Sequence, residues 1–167
     1  MIIPLTPATD RVPGLAALLV DTDDHGASIG FLAPLSHADA ARWWRDVTSH
    51  LGGDLRVWAA LDGDRVVGTI QLVRATAPNS RHRADIAKLM VHRDARGRGL
   101  ARALLKTAEQ AALDAGVTLL VLDTETGSPA ERLYAVEGWT CVGEIPDYAL
   151  DPHGRPHPTT VFFKHLA

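Results

Sequence analysis

The chain lacks several features that define whole classes of protein. It has one cysteine, Cys141, in 167 residues, which excludes an internal disulfide framework and suits a reducing compartment. No apolar run approaches the roughly 18 residues of a membrane-spanning helix, and the opening residues MIIPLTPATDRVPG lack the basic and apolar regions of a signal peptide. We therefore expect a cytoplasmic protein with no membrane partner. Cys141 lies in the apolar run WTCVG, which predicts a buried thiol.

An excess of basic charge, internal repeats and low-complexity linkers are also absent. The net charge is -3, which argues against a general nucleic-acid binder. Without a linker or a repeat, we expect residues 1–167 to form a single domain. Two histidines near the end, His153 and His157, are separated by Pro156, so they cannot form a helical pair of metal ligands, and we expect no metal.

The residues that are present alternate between helical and strand patterns. The pattern predicts a helix in RVPGLAALLVDTDDHG and a second helix that begins after Ser36 and runs to about Leu51. A hairpin follows in LRVWAALDGDRVVGTIQLV, with its turn at DGD, and then a strand in ADIAKLMV.

The second half continues the alternation. A helix is predicted from Gly99 to Ala115, then a strand in VTLLVLDT that is covered on both faces, then a short helix capped by Ser128. The last strands are WTCVGEI and TTVFFKHL, with a proline- and histidine-rich loop between them. This order of elements predicts an α/β or α+β mixed sheet.

The stretch VHRDARGRGLARALL, residues 91–105, combines four arginines with two glycines between a strand and a helix. The first turn of a helix presents unpaired N–H groups and a partial positive charge, and glycine lets the backbone approach a ligand. The stretch therefore predicts an anion site. It contains neither the P-loop pattern GxxxxGK[ST] nor GxGxxG, which disfavours a nucleotide hydrolase or a dinucleotide-binding protein.

The pattern Arg96-x-x-Gly99-x-Ala101 resembles the pyrophosphate-binding motif Q/R-x-x-G-x-G/A of the GNAT superfamily of N-acetyltransferases. The preceding KLMVHRDA and the later AERLYAVEGW resemble flanking parts of that superfamily in order and spacing. The blocks DDHGASIGFL, RADIAKLMVHRDARGRGLARALL, LDTETGSPAERLY and VGEIPDYALDPHGRPHPTTVFFK resemble the tabtoxin-resistance branch. The resemblance implies a GNAT fold, with a mostly antiparallel sheet and a splayed parallel strand pair at the cofactor site.

The resemblance also implies acetyl-CoA as the cofactor. The pyrophosphate would be held by the backbone of the helix start and the pantetheine by a strand edge, in a set comprising Leu89, Met90, Val91, Arg96, Gly97, Arg98, Gly99, Leu100, Ala101 and Arg102. It implies Tyr134 as the acid that protonates or stabilises the departing thiolate. Many relatives carry an asparagine seven residues before that tyrosine, where this chain has Gly127, so Thr124 or Ser128 would have to supply its contact.

Asp123 is the candidate base, because a carboxylate in an apolar strand is costly unless it has a partner or a role. It could instead hold the tyrosine or bind the substrate ammonium. Glu125 is the second candidate base. Candidate acceptor contacts are Asp23, Asp24 and His25 in the early loop, Glu125, and Tyr148 in the late loop.

The resemblance favours an N-acetyltransferase acting on a small amine, such as an amino-acid-like toxin or antibiotic, in a monomer or homodimer. Acetylation of a protein lysine or N-terminus is the alternative. A non-enzymatic acyl-CoA sensor is a third, which the presence of both Tyr134 and Asp123 disfavours.

Overall fold

The computed structural model describes residues 1–167 and contains one seven-stranded sheet and four α-helices. The strands are β1 (Ile2–Pro4), β2 (Leu55–Asp62), β3 (Arg65–Arg74), β4 (Arg83–Val91), β5 (Leu119–Glu125), β6 (Thr140–Leu150) and β7 (Pro156–His165). The helices are α1 (Val12–Asp24), α2 (His37–Ser49), α3 (Leu100–Asp114) and α4 (Pro129–Val136). None of the four has the length and apolar character that crossing a membrane requires.

The strand order is β1-β2-β3-β4-β5-β7-β6, and every neighbouring pair is antiparallel except β4 and β5. This confirms the predicted mixed, mostly antiparallel sheet with a parallel strand pair, and that pair lies near the middle of the strand order. The short β1, which pairs with β2, was not predicted, because three residues carry too little periodicity to indicate a strand.

The helix ends follow the predicted signals closely. The Ser36 side chain accepts a hydrogen bond from the Asp39 N–H at 3.0 Å, and the Ser128 side chain accepts one from the Glu131 N–H at 3.2 Å. The Glu131 carboxylate accepts from the Gly127 N–H at 2.7 Å, one residue before the position expected in a capping box. Helix α2 ends at Ser49, two residues before the predicted end.

Two apolar layers lie on opposite faces of the sheet. Helices α3 and α4 pack on one face, against Trp58, Ile86 and Phe162, while α1 and α2 pack on the other, against Val57, Ala59 and Met90. Alternate residues of β2 therefore enter different layers, as the period of a strand requires.

A bulge in β4 interrupts this alternation at the centre of the sheet. Thr69 of β3 pairs with Met90, but Gln71 pairs with Ala87, so β4 holds one extra residue between these pairs. The extra residue moves Met90 into the α1/α2 layer although Ile86 belongs to the α3/α4 layer. The bulge includes Lys88, whose φ of 50° is in the left-handed region.

Two predictions about burial are wrong. Cys141 is exposed, because β6 is the edge strand and nothing covers it beyond its contact with β7. Strand β5 is not covered on both faces: Leu120 and Leu122 are buried, whereas Asp123 is exposed. In addition, β6 extends through Leu150 and so includes residues that were predicted as loop.

Candidate active site

A gap opens in the middle of the sheet where β4 and β5 separate. The two strands pair only between Arg83–Asp85 and Leu119–Val121, yet β4 continues to Val91 and β5 to Glu125. Beyond the paired residues, the facing strand edges no longer bond to each other. The predicted pantetheine-binding residues Leu89, Met90 and Val91 lie on this separated part of β4. We call this opening the central gap.

The start of α3 follows directly from the end of β4. Gly97 and Gly99 have φ values of 74° and 75°, and a Cβ at either position would meet no atom within 4 Å. Gly99 is the N-cap residue and provides no side-chain cap, and the first backbone bond across the start runs from the Ala103 N–H to the Gly99 carbonyl. The N–H groups of the first turn thus have no partner within the helix.

The three predicted cofactor-site arginines already have partners in the chain. Arg96 donates to the Val91 carbonyl at 3.2 Å, Arg98 pairs with Asp62 at 2.8 Å, and Arg102 pairs with Glu137 of the α4 end. A phosphate would compete with these contacts, so the backbone amides are the uncommitted anion donors at this site.

Tyr134 projects from α4 into the α3/α4 layer. Its side chain is 5% exposed, and its ring lies 5.7 Å from that of Trp139 and 5.9 Å from that of Phe162. Burial, with a smaller contribution from the charge of Asp123, raises the pKa of Tyr134 far above its usual value. The hydroxyl therefore stays protonated at neutral pH.

The turn between β5 and α4 fixes the position of this tyrosine. Glu131 accepts a hydrogen bond from the Thr160 hydroxyl of β7 at 2.7 Å, in addition to the one from Gly127. The Thr124 and Ser128 hydroxyls are 3.3 Å apart. These two are the residues predicted to compensate for glycine at position 127, and here they bond to each other.

Asp123 lies on β5 at the opposite wall of the central gap from β4. Its carboxylate is 3.1 Å from the Thr159 hydroxyl, which is also 2.9 Å from the Thr124 carbonyl. The expectation that Asp123 has apolar surroundings is wrong. The pairing of β4 with β5 ends just before Asp123, which is therefore exposed to solvent. The charge of Asp123 contributes to the pKa of Tyr134 and of Lys88. Phe162, whose ring lies beside that of Tyr134, pairs with Leu122, the residue before Asp123.

The candidate acceptor residues do not form one cluster. Both ring nitrogens of His25 are engaged, with the Asp21 carbonyl at 2.6 Å and with Arg93 at 2.6 Å. Glu125 lies 3.5 Å from His157, and Tyr148 is 53% exposed on the edge strand. Asp24 is exposed at the end of α1.

Sequence reasoning missed Lys88 as a functional candidate. Its ammonium donates to the Ile29 carbonyl at 2.7 Å and lies 5.7 Å from the ring centroid of Trp43. Burial lowers the pKa of Lys88, and the charge of Asp123 partly offsets that effect. A lysine within the apolar strand ADIAKLMV was the available signal, since such a residue needs a partner.

Comparison with known proteins supports one family. Residues 16–139 match the model of the Acetyltransferase (GNAT) family. N-acetyltransferase 8B of Rattus norvegicus is 34% identical over 116 residues, which are 68% of this chain and 51% of that protein. The chain spans about half the length of the curated relatives it matches.

Solved structures share the fold along nearly the whole chain. Ribosomal-protein-alanine N-acetyltransferase from Brucella melitensis superposes with a TM-score of 0.81 at 22% identity, covering 99% of each chain. A GNAT superfamily phosphinothricin acetyltransferase from Sinorhizobium meliloti, in complex with acetyl-CoA, gives 0.81 at 18% identity, covering 100% of this chain and 88% of that one. Because the family model covers most of the residues, including β4, the α3 start and Tyr134, this protein belongs to the GNAT family of acetyltransferases.

Proposed function

We propose that this protein transfers an acetyl group from acetyl-CoA to the amine of a small, amino-acid-like molecule such as a toxin or antibiotic. The observation that carries the proposal is the central gap itself, with an uncapped helix start at its end and Tyr134 and Asp123 beside it. The sequence similarity to the tabtoxin-resistance branch supports the acceptor class. The Sinorhizobium meliloti neighbour, named as a phosphinothricin acetyltransferase, agrees with that class.

The residues at the gap fit acetyl-CoA. The N–H groups of Leu100, Ala101 and Arg102 suit a pyrophosphate, and the left-handed Gly97 and Gly99 leave open space beside them. The edge of β4 that faces the gap is unpaired after Asp85, which suits amide groups that add to a strand. Arg96, Arg98 and Arg102 would support these backbone contacts with positive charge.

When bound, acetyl-CoA supplies an activated acetyl thioester. Tyr134 would donate a hydrogen bond to the leaving sulfur. An ordinary tyrosine has a pKa of about 10 and an ordinary thiol a pKa of about 8.5, so complete proton transfer from tyrosine to thiolate is uphill by roughly 2 kcal/mol. Burial raises the pKa of Tyr134 and makes this transfer still less favourable. We therefore assign Tyr134 to stabilising the thiolate as a donor.

Asp123 would accept the proton of the incoming amine. An ordinary alkyl ammonium with a pKa near 10.4 is neutral in only about one molecule in 2,500 at pH 7, so the site must favour the neutral form. A carboxylate open to the gap can bind the ammonium, which loses one proton to solvent before the neutral amine attacks. As the C–N bond forms and the C–S bond breaks, the nitrogen becomes acidic, and Asp123 takes its remaining extra proton, directly or through water. The Thr159 hydroxyl at 3.1 Å holds the carboxylate in place.

An acceptor panel tests the activity. Amino-acid-like toxins including phosphinothricin, β-lactam amino acids, polyamines, lysine peptides and peptides with free N-termini are each incubated with acetyl-CoA, and the released thiol is measured with a chromogenic disulfide. A Cys141→Ser background removes the exposed thiol that would itself react with the reagent. Release above buffer with a small amine supports the proposal. Binding of CoA without release for any amine would indicate a sensor instead.

Substitution of the two side chains tests their roles. Tyr134→Phe should lower kcat by about 10²- to 10⁴-fold while the dissociation constant for CoA stays within about twofold, because only the donor to the leaving sulfur is lost. An unchanged kcat would remove the assignment. Asp123→Asn should change the pH dependence of kcat/KM, and a profile that does not move would exclude Asp123 as the base.

We further infer that residues 1–167 act as one N-acetyltransferase domain. One continuous sheet draws its strands from Ile2 through His165, which supports this inference. The alternative acceptor, a protein N-terminus or lysine, is decided by the peptide arms of the same panel. Gel filtration of the purified chain distinguishes a monomer from a homodimer.

A further inference from the structure

The segment between α1 and α2, residues 25–36, contacts both sides of the central gap, and we call it the bridging loop. On the β4 side, the Ile29 carbonyl accepts from the Lys88 ammonium at 2.7 Å. On the far side, the Ser28 hydroxyl donates to the Leu150 carbonyl at 3.3 Å and the Ala33 N–H donates to the Pro152 carbonyl at 2.8 Å. The loop is thus bonded both to β4 and to the region where β6 ends and turns into β7.

The contacts of Ser28 with Leu150 and of Ala33 with Pro152 lie at the same end of the sheet as the central gap. Thr159, near the start of β7, pairs with Glu125, the last residue of β5. The turn that precedes β7 and contains Pro152 therefore lies beyond the end of β5. Since Lys88 is on the separated part of β4, the bridging loop runs from one side of the gap to the other, on the α1/α2 face and opposite α3 and α4.

Lys88 is positioned for its contact by local backbone geometry. It lies in the β4 bulge with a φ of 50°, and its carbonyl accepts from the Thr69 hydroxyl at 3.1 Å. The side chain reaches the α1/α2 face, where the ammonium lies 5.7 Å from the Trp43 ring centroid. A Cβ at Gly30 would be 3.3 Å from that ammonium, so a residue without a side chain fits beside it.

A positive φ at a non-glycine residue has a conformational cost, and burial of an ammonium adds to it. Two contacts offset these costs, with the Ile29 carbonyl and with the Trp43 ring, and the charge of Asp123 partly opposes the effect of burial on the pKa of Lys88. The contacts join the bridging loop and α2 to the wall of the gap that faces Asp123. Lys88 therefore links β4 to both the bridging loop and α2.

We propose that Lys88 is a positioning residue that holds the bridging loop across the central gap and thereby shapes the acceptor side of the site. The proposal rests on the proposed function. With acetyl-CoA held at the α3 start, the acceptor amine would reach Asp123 from the α1/α2 face, because Leu120 and Leu122 of β5 enter the α3/α4 layer and Asp123 alternates with them. It assigns acceptor binding, and not acetyl-CoA binding, to the Lys88–Ile29 contact.

Three variants separate this role from others. Lys88→Met keeps the length of the aliphatic chain and removes the ammonium. Lys88→Arg keeps a cation that can reach a carbonyl. Lys106→Met removes an exposed lysine from α3 and serves as the matched control.

The first measurement is hydrogen exchange of the protein without ligands, resolved at the Ala33 amide that donates to Pro152. Lys88→Met should raise the exchange rate of Ala33 and its neighbours in residues 25–36 at least tenfold. Lys88→Arg should restore most of the protection, and Lys106→Met should change nothing. Unchanged exchange in Lys88→Met, or an increase spread evenly over the whole chain, would overturn the proposal.

The second measurement is steady-state kinetics with the first amine from the panel that is turned over. Lys88→Met should raise the acceptor KM at least tenfold, with kcat lowered less than threefold and the acetyl-CoA KM within twofold. A fall in kcat alone, or equal changes in both KM values, would contradict an acceptor-positioning role. If no amine is turned over, the proposed function fails, whereas the exchange result still decides whether Lys88 holds the loop.

Discussion

At the scale of single residues, Asp123 influences the ionisable groups around the central gap. Its charge contributes to raising the pKa of Tyr134 and of Asp85, and it opposes the lowering that burial imposes on the pKa of Lys88. The negative charge of Asp123 therefore favours the neutral form of Tyr134 and the charged form of Lys88. These are the protonation states that a thiolate-stabilising donor and a loop anchor require.

The ionisation of Tyr134 can be measured directly. The chain has two tyrosines, so in a Tyr148→Phe background the absorbance near 295 nm reports Tyr134 alone. Because burial and then Asp123 raise its pKa, we expect no ionisation up to about pH 10, the usual tyrosine value. Adding Asp123→Asn should lower the midpoint. A midpoint at or below about 10 in the Tyr148→Phe protein would contradict the buried position of Tyr134.

Asp23 is a second residue whose ionisation affects the stability of the folded protein. It is 1% exposed, and neither carboxylate oxygen has a hydrogen-bond partner. Burial, and then the charge of Asp24, raises its pKa, so the folded protein holds this proton more tightly than the unfolded chain. The resulting stabilisation is complete below the unfolded pKa of about 3.9 and is lost as the pH rises through the folded-state pKa.

Asp23→Asn should therefore stabilise the protein at pH 7. Removing an unpaired buried charge should raise the free energy of unfolding by about 1 kcal/mol, or the Tm by about 2–4 °C. The gain should shrink as the pH falls toward 4, because the native carboxyl is then protonated. Asp24→Asn, at the neighbouring exposed position, should stay within about 0.5 kcal/mol. Equal effects at both positions in thermal melts would contradict this account.

At the scale of elements, α3 begins and ends with glycines of nearly identical geometry. Gly99 at the start has a φ of 75° and Gly116 after the end has a φ of 74°, and a Cβ at either would meet open space. Any cost of alanine at these positions comes from the backbone conformation and not from a clash. Alanine substitutions at these two glycines can therefore separate a loss of stability from a loss of CoA binding.

Gly99→Ala and Gly116→Ala should each lower the free energy of unfolding by about 1 kcal/mol in denaturant melts. Only Gly99→Ala should weaken CoA binding, by tenfold or more in calorimetry, since it shifts the amides proposed to hold the pyrophosphate. Gly116→Ala should bind CoA within twofold of the parent protein. Equal losses of affinity would show that general destabilisation, and not the helix start, controls binding.

At the scale of the whole molecule, two apolar layers share one sheet that opens at its centre. Between β4 and β5 only three residues of each strand pair, so the two halves of the sheet have few backbone bonds between them. A ligand that bonds to the β4 edge and to the α3 start should therefore add to global stability. CoA at one hundred times its dissociation constant should stabilise the fold by about 2.7 kcal/mol.

For a domain of this size, that free energy corresponds to a rise in Tm of about 5–11 °C. Differential scanning calorimetry at increasing CoA concentration measures it, with Gly99→Ala requiring a proportionally higher concentration for the same shift. Adenosine without the pantetheine and pyrophosphate groups serves as the control and should give a much smaller shift. A Tm that does not respond to CoA would contradict binding at the central gap.

The sequence alone determined the features that depend on neighbouring residues. The helix caps at Ser36 and Ser128, the helix start near Gly99 and the hairpin turn at DGD follow from local backbone preferences, and each is present. The resemblance of the arginine- and glycine-containing stretch to the GNAT motif predicted the family in the same way, because that motif is contiguous in the chain.

Tertiary structure decided what depends on residues distant in sequence. Cys141 is exposed because β7 places β6 at the edge, and Asp123 is open to solvent because β4 turns away from β5. The contact of Lys88 with Ile29 joins residues 59 positions apart and depends on a bulge that no periodicity indicates. Burial and long-range pairing are properties of the assembled sheet, and a local pattern carries no information about which strand becomes an edge or where two strands separate.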